Sequence, residues 1–506
     1  MKILLIDPPI RRFTGVASFF FPTSLAYLAA PLKNTNHKVL IYDVDRGDEV
    51  PNSLDFNNSY NQMQRYVNAI NESANPVWKE VTNTLLHYKP DLVGITAMTT
   101  KIASAMKIAE LVKEYNSNCH VVMGGPHPTI GPDDILKSGS VDFICRNEGE
   151  ESFHQLVDAL DRKTSSDYLQ SPSPVINQIK GISFKENGRI IHNDNAMFID
   201  DLDSIPYPAR ESLMNQRKYS SEDIGMILTS RGCPYRCSYC FHPFGSNSVK
   251  YRSVDNILGE IEEIKKMYGS YHFSFKDDSF TVKRSHVMEL CEALIKNKTD
   301  INWDCTTRVN LVDREMLKIM KIAGCNVIKV GVESGSKRIL EDTNKGITHE
   351  QIRNAARLFN DLGIFWSAYF MIGLPQETEE DMQQTYEFMK EIDPFYAGLG
   401  VYNPFPETEL FNLGVKMGIL KEEIEFEDFK QVNPIDYYFI NPAKRVAALN
   451  KDEFEKISAR MMGAFNNHNK KFAKLARRGW ERRKQYVHDP RMIKNDVGKV
   501  LSWIWP

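Results

Sequence analysis

The chain predicts an α/β protein in three parts: a doubly wound domain over residues 1–160, a full or partial (β/α) barrel over 222–420, and a C-terminal helical region over 421–506. Three observations carry this. Short β-branched runs alternate with helical patterns through the first 160 residues. After a Ser-, Asp-, Asn- and Pro-rich connection over 161–221, the same alternation resumes. Beyond residue 420, helical periodicity persists with few strand signals. Strands alternating with helices imply parallel sheets with right-handed crossovers.

In the first part, Lys2–Ile6, Lys38–Asp43, Leu92–Thr96, His120–Met123 and Phe143–Cys145 read as strands. Pro22–Lys33, Ile102–Tyr115 and Glu151–Leu160 read as helices, and Gly47–Asn75 as a polar, irregular insertion. This is a flavodoxin/Rossmann-like pattern, in which ligands bind beyond the carboxyl ends of the strands. A hairpin is expected around Asn187-Gly188. In the barrel, strands at MILTS, FSFKDDSF, INWDCTTRVN, VIKVGVES, FWSAYFMIGL and AGLGVYNPF are separated by helices over Asn256–Met267, His286–Lys296, Arg314–Ala323, His349–Leu362 and Glu379–Ile392. Chemistry on such a fold belongs at the carboxyl ends of the strands.

Composition narrows the function classes. Hydrophobic residues at 42% and charged residues at 25% exclude a disordered chain. Lys+Arg at 63 against Asp+Glu at 66 gives a net charge of −3, so no nucleic acid partner is expected. No apolar run reaches the roughly 20 residues that span a bilayer, and MKILLIDPP breaks too early for a signal peptide. A cytoplasmic location follows as the expectation. His468–Lys484 carries eight Lys/Arg against one acid, with Phe472, Leu475 and Trp480 between them. It reads as a solvated helix face or, together with Trp503 and Trp505, as a peripheral membrane contact.

Five of the eight cysteines stand singly in apolar surroundings and read as small buried hydrophobes. Cys233, Cys237 and Cys240 stand together in Arg231-Gly-Cys233-Pro-Tyr-Arg-Cys237-Ser-Tyr-Cys240, just after a strand. Three thiolates on one loop suit an iron–sulfur cube with one iron left open; with His242 as a fourth ligand they suit zinc.

The C-x3-C-x2-C spacing, with Tyr239 before the last cysteine, resembles the radical S-adenosylmethionine (SAM) superfamily. That resemblance implies a 4Fe-4S cluster whose open iron chelates SAM, and a 5′-deoxyadenosyl radical that abstracts hydrogen from substrate. It further implies SAM contacts from Asp277 and Asp278 to the ammonium, Arg308 to the carboxylate, Glu333 and Ser334 to the ribose or methionyl group, and Gly373 beside adenine. A flavodoxin or ferredoxin-type protein is the implied electron donor.

The first part resembles the cobalamin-binding domain of the cobalamin-dependent (B12-binding) radical SAM enzymes. The matching stretches are Pro8-Pro9, Phe21–Ala30, Pro90–Thr96, Gly124–Thr129 and Asn147-Glu148-Gly149-Glu150. On this resemblance Pro9, Gly124, Gly125, Gly149 and Glu150 line the corrin site, and Thr96, Thr99 and Thr100 offer hydroxyls. Met98 packs on a ring edge, and His127 meets the tail or corrin periphery. No His follows Asp7, so the lower axial position of cobalt is unassigned.

The implied activity is methyl transfer from methylcobalamin to an unactivated carbon after hydrogen abstraction. The alternative is a cyclase or oxidative rearrangement of the bacteriochlorophyll ring-closing kind. A methylthiotransferase would need an N-terminal cysteine triad, and only Cys119 and Cys145 precede the loop. The substrate is expected to be a small or lipid-like molecule.

Overall fold

The computed structural model describes residues 1–15, 20–47, 59–162, 175–241, 248–423, 430, 437–441, 444–488, 490, 493 and 496–497. His242, Trp503 and Trp505 lie outside the described residues. The first sheet has seven strands: β1 (Lys2–Asp7), β2 (Lys38–Asp43), β3 (Leu92–Thr96), β4 (His120–Gly124), β5 (Phe143–Cys145), β6 (Ile182–Glu186) and β7 (Arg189–His192), ordered β2-β1-β3-β4-β5-β6-β7. The first five are parallel in the flavodoxin-like order, with the switch point between β1 and β3. Their continuous apolar runs fit burial on both faces: Ile3–Ile6 and Leu92–Ile95 are buried.

Two departures from the sequence reading are instructive. The Asn187-Gly188 hairpin forms, but it is not a free element of the connection: β6 pairs antiparallel with β5, extending the first sheet. The insertion expected to be irregular contains a helix, Ser59–Asn71, followed by another at Pro76–Tyr88. Tyr66, Val67 and Ile70 form a short buried stripe at helical spacing, which polar neighbours mask in a composition scan. Asn75 caps the second helix through Val77 N–H, and Trp78 Nε1 donates to the Ala69 carbonyl at 2.7 Å.

The second sheet is built from β8 (Met226–Ile227), β11 (His272–Phe275), β12 (Asn302–Thr307), β13 (Cys325–Glu333), β14 (Phe365–Ile372) and β15 (Tyr396–Val401). A two-stranded ribbon, β9 (Ser230–Arg231) with β10 (Lys250–Tyr251), stands beside it. The six parallel strands run β8-β11-β12-β13-β14-β15 and do not close, so the barrel is partial. Phe273, Phe275, Trp303, Cys305, Ile328 and Val330 face the helical layer and are fully buried, while alternate positions such as Ser274, Asp304 and Lys329 carry polar groups to the opposite, concave face.

The C-terminal helices pack back on this barrel. On the helix Lys451–Asn469, Phe465 meets Phe370 edge-on, and Asn469 exchanges hydrogen bonds with both backbone groups of Ala397. Several of the basic side chains further on serve the barrel: Lys474 pairs with Asp393 at 3.0 Å, Arg477 lies over Phe365, and Arg482 grips Glu222 with two bonds. Phe472 and Trp480 remain exposed. No helix among the described residues is long and apolar enough to cross a membrane.

Candidate active site

The cysteine loop leaves the carboxyl end of β8 and is tied down on three sides. Asp277, beyond β11, accepts from Thr229 N–H at 2.6 Å, Ser230 N–H at 3.1 Å and the Thr229 hydroxyl. Ser238 bonds the Asp342 and Thr343 carbonyls, and Asn344 Nδ2 donates to the Arg236 carbonyl. Leu410 N–H donates to the Ser238 carbonyl at 2.8 Å. Cys233 and Cys237 are half-buried and Cys240 is exposed. Although that residue reaches the surface, the protein packed around its sulfur, then Cys237, Cys233 and Asp278, push the Cys240 thiol up; a bound cation favours the thiolate.

Around the loop stand the other strand ends. Arg308 stacks on Tyr235, with 3.7 Å from guanidinium carbon to ring centroid. Its Nη1 lies 3.7 Å from Cys237 Sγ, and it also bonds the Lys345 carbonyl. Tyr239 donates its hydroxyl to Glu333 at 2.9 Å, and Lys345 pairs with the same carboxylate. Glu333 sits past a register shift in β13 at φ 66°, a left-handed conformation uncommon for a side-chain-bearing residue and often met at functional sites. Gly331 leaves room for this pair: a Cβ there would lie 2.2 Å from Glu333 Oε1 and 2.4 Å from Lys345 Nζ, so both side-chain ends would have to shift.

Several residues expected at the SAM site also serve the fold. Asp277 is buried and spends its oxygens on the start of the cysteine loop, so Asp278, exposed two residues beyond Lys276, is the carboxylate at this strand end that faces the thiols. Ser334 is fully buried, bonded to Thr385 Oγ1 at 3.1 Å and to Ser336 N–H; it props the turn after β13. Where Gly373 would carry a Cβ, the Phe454 ring already stands 3.0 Å away.

The turn after β14 makes a prediction of its own. Glu377 is fully buried and accepts from Gly373 N–H at 2.5 Å and Leu374 N–H at 3.2 Å. Burial outweighs those bonds and pushes its carboxyl up to about 8. The folded chain therefore holds a proton that the unfolded chain has already lost, and stability falls as pH rises from about 5 through about 8. Glu377→Gln, which keeps the acceptor without the charge, should flatten that fall. Melting temperatures across the window check this; parallel curves for the two proteins would contradict it.

At the carboxyl edge of the first sheet, the loops after β1, β3, β4 and β5 converge. Asp45 accepts from the N–H groups of Ile10, Arg11 and Arg12 behind buried Pro9, and Asp7 pairs with Lys101 at 2.6 Å. Gly125, at φ 111°, would place a Cβ 2.8 Å from the Ala97 carbonyl, so only glycine lets these loops meet. Thr96 and Thr100 are half-buried and Met98 is exposed. His127 is buried, its Nδ1 3.2 Å from Thr99 Oγ1, and burial lowers its imidazole to about 4. Gly124 and Gly149 are packed by Cys145, and Gly149 also by Leu28.

The two edges are joined by a residue that the sequence reading did not single out. Arg231, two positions before Cys233, donates to Glu148 at 3.0 Å and to Glu150 at 2.6 Å; its guanidinium carbon lies 5.1 Å from the Tyr27 ring centroid. The second Glu148 oxygen accepts from Ile199 N–H at 2.7 Å. Burial works against the charge, but Glu150 and Glu148 outweigh it and hold Arg231 above its ordinary value. Acids at two alternate positions of a strand-end loop, and an arginine leading the cysteines, were the available signal.

A doubly wound domain clamped edge to edge with an open (β/α) barrel, whose first strand ends in a three-cysteine loop, defines the class of cobalamin-dependent radical SAM enzymes. Residues 227–389 match the Radical SAM superfamily and residues 14–157 the B12 binding domain. An uncharacterized methyltransferase of Pyrococcus horikoshii is 30% identical, over 86% of this chain and 87% of its own. The anaerobic magnesium-protoporphyrin IX monomethyl ester cyclase of Rubrivivax gelatinosus is 29% identical, over 86% and 73%. The fold resembles the radical SAM methyltransferase TsrM from Kitasatospora setae, solved with cobalamin and a 4Fe-4S cluster bound, at 17% identity and a TM-score of 0.61 over 83% of this chain and 79% of that one. The chain belongs to the B12-binding radical SAM enzyme family.

Its cofactors are a 4Fe-4S cluster, SAM and cobalamin, and the three free thiols of the Cys233–Cys240 loop fit the cluster. A cube takes one thiolate at each of three separate irons. When bound, the cluster and SAM would supply a carbon-centred radical, the reactive chemistry that the protein itself lacks. The chain's own part is to set the cysteine loop against the edge of the first sheet through Arg231.

Proposed function

We propose that this enzyme is a methyltransferase acting on an unactivated carbon of its substrate. The observation that supports this most is the Arg231 clamp, which sets the cysteine loop and the cobalamin-domain edge against each other. A carbon that loses hydrogen on one side and gains a methyl on the other has to lie between the two, and fixing that geometry is worth far more than diffusional encounter. The name of the Pyrococcus relative agrees with the reading. The second reading is ring closure without methylation, favoured by the 29% identity to the cyclase.

The two readings differ before any substrate is known. With methyl-labelled SAM, reductant and bound corrin, a methyltransferase releases S-adenosylhomocysteine as its corrin takes the label. A cyclase releases only 5′-deoxyadenosine and methionine. Corrin-dependent S-adenosylhomocysteine is the expected result; its absence beside vigorous deoxyadenosine formation would favour the cyclase.

A further inference from the structure

Phe20, on the stretch between β1 and β2, is 45% exposed although it is a large apolar ring. Two cations stand over it, one from each domain: the Arg11 guanidinium carbon 4.5 Å and Lys276 Nζ 4.8 Å from the ring centroid. Arg11 follows β1 and Lys276 follows β11, so both occupy the carboxyl edges where these two folds bind ligands. Lys276 directly precedes Asp277 and Asp278, which places it beside the cysteine loop.

Lys276 is half-buried, yet it forms no ion pair among the described residues. The carboxylates that reach it electrostatically are engaged elsewhere. Asp304 bonds Lys329 and Ser274 and lies 3.2 Å from His272, while Glu222 is held by Arg482 at 2.7 Å. Burial first, then Lys329, lower the Lys276 ammonium to about 8, against the pull of Asp304 and Glu222. A cation left so poorly compensated costs folding free energy, and a bound anion would return it.

We infer that Lys276 and Arg11 together receive an anionic group of the substrate, a carboxylate or a phosphate, whose apolar or planar body lies against Phe20. This rests on the reading that the reacting carbon sits between the two cofactors, and it adds the substrate class: an amphiphilic anion. Phe20 turns from an exposed apolar liability into a floor for the apolar part, and the cations fix which end enters first.

Pyridoxal 5′-phosphate is a direct probe, since it carries a planar ring, a phosphate and an aldehyde; 5-deoxypyridoxal lacks the phosphate and, having no 5′-hydroxyl to close on it, keeps its aldehyde free. The Lys276 amine adds to the aldehyde and water leaves as the imine forms. Borohydride then delivers hydride to the imine carbon while solvent protonates the nitrogen, fixing a secondary amine that peptide mass spectrometry locates. In the cofactor-loaded full chain, the phosphate form should label Lys276 roughly tenfold faster than 5-deoxypyridoxal, the worth of one charge-assisted hydrogen bond. Arg11→Gln should erase the preference and Arg11→Lys keep it. Phenyl phosphate and phenylacetate as protectants then distinguish the two kinds of anion. An unlabelled Lys276, equal labelling by both aldehydes, a preference that survives Arg11→Gln, or protection by neither anion would overturn the inference. Labelling needs neither SAM nor turnover, so its failure and a failure of the methyltransferase reading are separately visible.

Discussion

Cys237→Ala is expected to strip the protein of its iron–sulfur absorbance and bring 5′-deoxyadenosine formation to background. Two thiolates do not hold a cube that needs three corners anchored. The loss should be chemical rather than structural. Cys237 is half-buried, and the loop around it is held by Ser238 and Asn344 through bonds the substitution leaves alone. Cys291→Ala is the matched control: Cys291 is fully buried between the helix Arg284–Lys296 and β12, so its loss should cost packing stability while iron content stays the same. Iron and labile sulfide assays on both variants check the contrast; equal iron in Cys237→Ala and wild type would remove the assignment.

Arg231→Ala has the second largest expected effect, this time on both stability and coupling. It leaves Glu148 and Glu150 charged and mostly buried, with side-chain exposures of 9% and 11%, and without their cation. Breaking a buried pair on one side costs about 3 kcal/mol or more. Replacement by Lys should recover only part of this, since one ammonium does not reproduce the forked grip on two carboxylates. Denaturant unfolding reads the stability. The ratio of S-adenosylhomocysteine to 5′-deoxyadenosine reads the coupling, and it should fall as the cobalamin domain loosens from the cysteine loop. A variant as stable as wild type with an unchanged ratio would show that the clamp is ornamental.

What the sequence discloses and what it withholds follow from range. Leu92–Thr96 and Phe143–Cys145 are readable to the residue, because a strand buried on both faces is a bare apolar run between turns. The cysteine loop is readable because its ligands are neighbours along the chain. The Ser59–Asn71 helix is hidden because its buried stripe is narrow and its composition polar. Ser230, Thr385 and Glu148, which bond Asp277, Ser334 and Arg231, lie between 47 and 83 residues from them, and no local pattern reports a bond across that distance. The acidic motif Asp277-Asp278 shows the limit well: the pair is visible in the sequence, but only the fold divides it into a strut and a carboxylate facing the thiols.

On this reading three sulfurs hold a cube whose remaining iron is open to SAM. Mössbauer spectra of the iron-57-reconstituted protein, taken with and without SAM, test it most directly. One iron of the cube should change its coordination when SAM is added, with the other three unmoved. Spectra that are identical in the two samples, or a protein that takes up zinc in place of iron, would contradict it.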